Sequence, residues 1–237
     1  MGVGPVGVAL AMRSYIDGRP QELGAAFAPF FDPATTVVVS IDLHRGHLDD
    51  DPACPCPAPR ARAIVPAVDA FHRTARAAGI RVIHVRSRLR AGGVDDVNGL
   101  KAAWRLVFPL HVGDIPNADE HAIEGTRWND FVTEVEDRDL IVEGKKRLSA
   151  FHPTDLDFLL RNLGTRTIVF DGCLADCCIL NSAFDASNLG YHVVVAADLV
   201  AGTDAALEAS ALRIVATHLG LVSDAAMITQ AWRCRLP

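Results

Sequence analysis

Thr35-Thr36-Val37-Val38-Val39-Ser40-Ile41-Asp42 is an unbroken β-branched run that ends in an acid. A strand with water on one face alternates apolar and polar residues. A run apolar on both sides of the pleat reads as a strand covered on both faces, which is the signature of a parallel sheet with helices above and below. The rest of the chain repeats the theme. Arg81–Arg86, Asp139–Glu143, Thr167–Asp171 and Tyr191–Ala197 read as further strands, with a sixth, short one within Leu221–Ile228. Helical patterns separate them at Arg60–Ala78, Asp155–Leu163 (Thr154 as cap), Asp176–Leu189 and Asp204–Leu219 (Thr203 as cap). Strand and helix in alternation predict right-handed crossovers and a three-layer α/β/α fold around a mainly parallel six-stranded sheet.

The organisation expected is an N-terminal arm over residues 1–34, loose over its first twelve, followed by a single domain over 35–237. Ser87–Asp137 is the least regular stretch, with Gly92-Gly93, Trp104, Pro109, Pro116 and Trp128, and reads as an insertion with a binding or lid role and two short helices.

Half of the residues are hydrophobic and the net charge is −6, a folded composition with no clustered basic face for nucleic acid. No stretch approaches the roughly 18 apolar residues of a membrane span. Six cysteines occur, three of them (Cys173, Cys177, Cys178) within six residues. That crowding suits free thiols in a reducing, cytoplasmic setting better than a disulfide framework, and Cys54 and Cys56 read as thiols of a proline-rich loop.

In an open parallel sheet, ligands gather at the carboxyl ends of the strands. Asp42 closes the first strand, Lys145 follows the third, and Asp171-Gly172-Cys173-Leu174-Ala175-Asp176-Cys177-Cys178 joins the fourth to its helix. An acid, an amine and a thiol would thus converge. Gly172 permits a tight turn. A cysteine in the first helical turn meets unpaired N–H groups and the positive end of the helix dipole, which lower a thiol's pKa. The same pattern also suits a cysteine that merely packs.

Three blocks, in order, resemble the isochorismatase-like cysteine hydrolases, a family that includes nicotinamidases, N-carbamoylsarcosine amidohydrolase and ureidoacrylate amidohydrolase. Val38-Val39-Ser40-Ile41-Asp42-Leu43-His44 is similar to the family's strand and its Asp-Met-Gln. Lys145-Lys146-Arg147-Leu148-Ser149-Ala150-Phe151-His152-Pro153-Thr154 is similar to Lys-x-Arg-Tyr-Ser-Ala-Phe-x-x-Thr. Gly172 through Ala186 is similar to Gly-Val-x-Thr-x-x-Cys-Val-x-x-Thr-Ala-x-Asp-Ala, and Gly125-Thr126 matches a family Gly-Thr. The resemblance runs from about Val37 to Ile228.

That resemblance implies Asp42, Lys145 and Cys178 as the catalytic residues, with Cys177 and Lys146 as alternatives. It implies an oxyanion hole on the N–H groups of Leu174 and Cys178, beside a cis Cys173–Leu174 peptide. The activity implied is C–N cleavage in a small linear amide, ureido or carbamoyl compound through a thioester. A vinyl-ether hydrolase, a thiol redox protein and an inactive binding subunit are the other readings. Ala175 replaces the usual threonine, His44 the usual glutamine, and Phe184 stands where arginine is common. His44, His47, Arg86, Trp104, Trp128 and Phe151 are the candidate substrate contacts. The metal-binding Asp-x-His of nicotinamidases is replaced by Arg86-Ser87-Arg88, so neither a metal nor another cofactor is expected. The resemblance further implies a homo-oligomer, a dimer or tetramer.

Overall fold

The computed structural model describes residues 12–235. Six strands form one parallel sheet in the order β5-β4-β3-β6-β7-β8. They are β3 (Thr36–Ile41), β4 (Arg81–Ser87), β5 (Leu140–Lys145), β6 (Thr167–Cys173), β7 (His192–Ala201) and β8 (Gly220–Ser223). Because successive side chains point to opposite faces, Val38 joins one hydrophobic core while Val37, Val39 and Ile41 join another. The first core is completed by Val68, Phe71 and Ala75 of α2 (Pro59–Ala77), the second by Leu156 and Leu160 of α4 (Leu156–Asn162) and Ala183 and Ala186 of α5 (Leu180–Asn188). Two cores, one on each face, give the three-layer α/β/α arrangement expected from the β-branched runs.

Residues 1–11 of the expected arm lie outside the described residues. From residue 12 onward the segment is anchored at Met12, Ser14 and Phe31, which are buried, while β2 and the residues around it are exposed. A hairpin of β1 (Arg13–Ile16) and β2 (Arg19–Glu22) lies against β8, where the Ser14 hydroxyl donates to Val222 O (2.9 Å) and accepts from Val222 N–H (3.1 Å). These bonds satisfy backbone groups on the sheet's open edge.

One cap and two helical segments differ from expectation. Asp204, not Thr203, caps α6 (Ala205–Ile214), its carboxylate accepting from Ala206 N–H and Leu207 N–H at 2.8 Å each. Thr203 is instead bonded to Asp176. The helix after β6 is preceded by a π-helical turn, Ala175–Ile179. At the C-terminal end the strand expected within Leu221–Ile228 stops at Ser223, and α7 (Ala225–Arg233) takes over. Asp224 accepts from Met227 N–H (2.7 Å), and Ile228, Ala231 and Trp232 form a buried stripe at helical spacing. In the insertion, α3 (Trp104–Val112) is the one α-helix, joined by short 3-10 turns that include Ala118–Glu120 and Arg127–Asn129.

The chain leaves β3 toward β4 and β5 on one side, and β6 continues toward β7 and β8 on the other. The order therefore switches between β3 and β6, where open α/β sheets bind ligands.

Candidate active site

The carboxyl ends of β3, β4, β5 and β6 meet over one cavity of about 1160 Å³. Asp42 is the first residue past β3. It has φ +55° and its N–H donates to Val85 O (2.8 Å), which turns the fully buried carboxylate over the ends of the neighbouring strands. Oδ1 accepts from the Ser87 backbone N–H (2.9 Å) and contacts Ser87 Oγ (3.2 Å). Oδ2 accepts from Lys145 Nζ at 2.5 Å.

Lys145 is the last residue of β5, two positions beyond Glu143, where the shorter expected strand ended. Its ammonium is 2% exposed and uses its three donors on Asp42 Oδ2, Ser87 Oγ (2.9 Å) and Cys178 Sγ (3.4 Å). Burial alone would push the lysine's pKa down and the carboxyl's up. Their mutual attraction overrides it: Asp42 is held well below the usual carboxylate range and Lys145 above the usual lysine value. The neighbouring Lys146 points away, to Arg88 O and Asp95.

Gly172 shapes the approach of Cys178. It has φ +109°, and a Cβ there would stand 2.2 Å from Ile41 O. Only glycine lets β6 pass so close to the end of β3. The cis Cys173–Leu174 peptide follows, and the π-helical turn then presents Cys178. Asp176 ties this loop to the one after β7 through Thr203 N–H (2.7 Å) and Oγ1 (2.8 Å).

The expected lowering of the Cys178 pKa is corrected by its surroundings. Its S–H donates to Cys177 Sγ at 4.0 Å, the group is buried, and the Asp42 charge is near. These effects push the thiol up against the pull of Lys145, whose charge is already committed to Asp42. These surroundings favour the thiol over the thiolate beside the ammonium–carboxylate pair. The helix start alone is not enough to ionise it.

Of the residues expected to touch substrate, His47, Trp104 and Phe151 line the cavity. His44 is buried behind them, with Nε2 3.8 Å from Asp42 Oδ1. Arg86 and Trp128 do not line it. The Arg86 guanidinium is bonded to Glu143 and Asn129 O and stacks on Phe131 at 4.7 Å. Trp128 is buried under Arg127 at 4.2 Å, and its carbonyl lies 2.9 Å from His44 Nδ1. Both sit near the site in sequence, but their polar and aromatic groups are used up by packing. Ser87 and His121 were not foreseen. Ser87 has no sequence signal beyond ending a strand. His121 sits four residues before Gly125-Thr126, and its ring reaches the cavity beside His47. The insertion forms much of the cavity's outer wall through Val97, Leu100 and Trp104.

The isochorismatase domain model matches residues 36–227. A ureidoacrylate amidohydrolase of Methylorubrum extorquens is 28% identical over 214 residues, covering 85% of this chain and 84% of that protein. A cysteine hydrolase from Pseudomonas syringae superposes with a TM-score of 0.76 at 23% identity, over 87% of this chain and 96% of the other. An N-carbamoylsarcosine amidase from Thermoplasma acidophilum gives 0.63 at 21% identity, over 81% and 96%. The family match spans most of the chain and agrees with the sheet order and the parallel strands, so this chain belongs to the isochorismatase domain family of hydrolases.

Proposed function

We propose that the protein hydrolyses a C–N bond in a small linear amide, ureido or carbamoyl compound, with Cys178 as nucleophile. The observation that carries this reading is the Lys145 ammonium held between Asp42 Oδ2 and Cys178 Sγ at the floor of a cavity. A thiol, a carboxylate and a fixed positive charge are what acyl transfer through sulfur requires.

As Sγ bonds to the carbonyl carbon, its proton passes to Asp42 and the carbonyl oxygen takes the negative charge. The N–H groups of Leu174 and Cys178 would receive that oxyanion. Collapse breaks the C–N bond while Asp42 returns the proton to the departing nitrogen, leaving a thioester. Water then adds to the thioester, Asp42 accepts its proton, and as the C–S bond breaks Asp42 passes that proton to sulfur, regenerating the thiol and the carboxylate. Lys145 keeps Asp42 ionised between these transfers and offsets the charge on sulfur. The amidohydrolase relative supports a C–N substrate. Aromatic and apolar walls from Trp104, Phe151 and Leu100 suit a small organic acyl group.

The test is ammonia or amine release across a panel of amides, ureides and carbamoyl compounds, with mass spectrometry of the protein during turnover. An acyl adduct on Cys178 is expected, and Cys178→Ala should be inactive. Release that survives the substitution overturns the assignment. Six free cysteines support a cytoplasmic setting. Exposed Leu106, Val107 and Leu110 on α3 support a homo-oligomer, which light scattering on the purified protein would measure.

A further inference from the structure

Three histidines meet beside the catalytic pocket. His44 and His47 come from the turn after β3, at the cap and within α1 (Arg45–Leu48), and His121 comes from the insertion. One nitrogen from each lies within 4.8 Å of the others, and all three rings are buried. We propose that His44, His47 and His121 bind one divalent transition-metal cation of the zinc type, and that this cation pins the insertion to the sheet.

The hydrogen bonds around the cluster fix which nitrogens are free. His44 Nδ1 lies 2.9 Å from Trp128 O and His47 Nδ1 lies 3.0 Å from Cys56 O. A carbonyl oxygen only accepts, so Trp128 O and Cys56 O call for the proton on each Nδ1; at His44 the carbonyl contact is shorter than that of the Gly46 N–H, 3.2 Å from the same nitrogen, and each Nε2 then presents a lone pair. Metal-binding histidines are commonly oriented in this way, through a carbonyl on the far nitrogen. His44 Nε2 has no hydrogen-bond partner although it is buried. His121 Nε2 lies 3.1 Å from His47 Nε2, close to the roughly 3.3 Å between two nitrogens of a tetrahedral zinc with Zn–N bonds of about 2.0–2.1 Å. Without a cation, His121 donates its Nε2 proton to His47. Binding moves that proton to His121 Nδ1, which has no protein partner, so three lone pairs converge with no net proton loss.

As a polar core the cluster is poorly satisfied, with two buried ring nitrogens unbonded. As a ligand set it is complete: three neutral imidazoles, a donor type that suits zinc, cobalt and iron. The Asp42 carboxylate, 3.8 Å from His44 Nε2, adds negative charge next to the site.

This site is not the one whose absence was read from Arg86-Ser87-Arg88. There, Ser87 is bonded to Asp42 and Lys145, and both arginines pair with Glu143. The expectation of no metal rested on that stretch and on reading His44 and His47 as loop or substrate-facing groups. The loop after β3 and the insertion, 74 residues apart at His47 and His121, assemble a different set. Three protein ligands leave a tetrahedral cation one open position, and His47 and His121 both line the cavity, so that position faces the substrate space.

The full-length protein, stripped with a chelator, would be titrated with Co²⁺ and followed by visible absorption, and zinc content would be measured after gel filtration. One Co²⁺ per chain with the bands of a four- or five-coordinate nitrogen site is expected. So are a raised melting temperature and slower proteolysis of the insertion. His47→Gln and His121→Gln should each weaken Co²⁺ by more than the roughly 10- to 100-fold that loss of an outer-shell partner costs. Circular dichroism of these variants shows that loss is not misfolding. Cys178→Ser should still bind one equivalent. Substoichiometric Co²⁺ and Zn²⁺ in the native protein overturn the site. So does equal binding by the folded His44→Gln/His47→Gln/His121→Gln variant. Because the readout is binding, a failed amide assay leaves this result intact.

Discussion

Ser87 and Lys145 are register partners at the ends of β4 and β5, and Lys145 Nζ donates to Ser87 Oγ at 2.9 Å. The serine hydroxyl thereby links the ammonium to Asp42 Oδ1, 3.2 Å away. Sheet pairing itself aligns two of the groups that surround the carboxylate.

Ser87→Ala removes this link but leaves the Ser87 N–H on Asp42. The expected outcome is a fall in kcat of about 10-fold with little change in KM, as one buried hydrogen bond to a charged group is worth roughly 1.5–3 kcal/mol. Steady-state kinetics on the best substrate of the panel would check it. A wild-type kcat would remove Ser87 from the positioning of Asp42.

Asp42 and Lys145 are both buried, so either one alone would be an uncompensated charge. Asp42→Asn and Lys145→Met should each destabilise the fold by about 3–5 kcal/mol and abolish turnover. The double variant should regain most of the stability and none of the activity. Urea unfolding of all four proteins measures the coupling.

Gly172→Ala places a methyl carbon 2.2 Å from Ile41 O at a φ of +109°. The two strands would have to separate under the active site. A loss on the order of 4 kcal/mol or more is expected, or failure to fold. A variant of native stability would show that β3 and β6 can part without cost.

His84 sits on β4 with Nε2 3.3 Å from Asp139 Oδ2, facing His72 of α2 and near Asp171 of β6. Burial, then His72, pushes its pKa down to about 4 from 6.5. The unfolded chain protonates near 6.5 and the native one near 4, so unfolding takes up a proton between them. This contribution, on the order of 3 kcal/mol, is complete above pH 6.5 and is lost as pH falls toward 4. Urea unfolding at pH 7 and pH 5 should differ less for His84→Gln than for the native protein.

The sequence by itself determined the architecture. Runs such as Val37-Val38-Val39 supply apolar side chains to both faces, and only a sheet covered on both sides can bury them. It also brought Asp42, Lys145 and the Cys177-Cys178 pair toward one rim, because each lies at or just past a strand end, while the family resemblance singled out Cys178. The C-terminal helix was missed because Leu221-Val222 and the apolar run Ala225–Ile228 read together as one strand until the Asp224 cap separates them. What only the tertiary structure decided was which side chains had partners left to find. Arg86 and Trp128 look available in sequence but are consumed by Glu143, Phe131 and Arg127. Ser87 and His121 look ordinary but face the cavity's charged floor and its histidine wall. The thiol's protonation was decided the same way. A local turn favours the thiolate, but the contact with Cys177, then burial, with a smaller push from Asp42, raise the thiol's pKa.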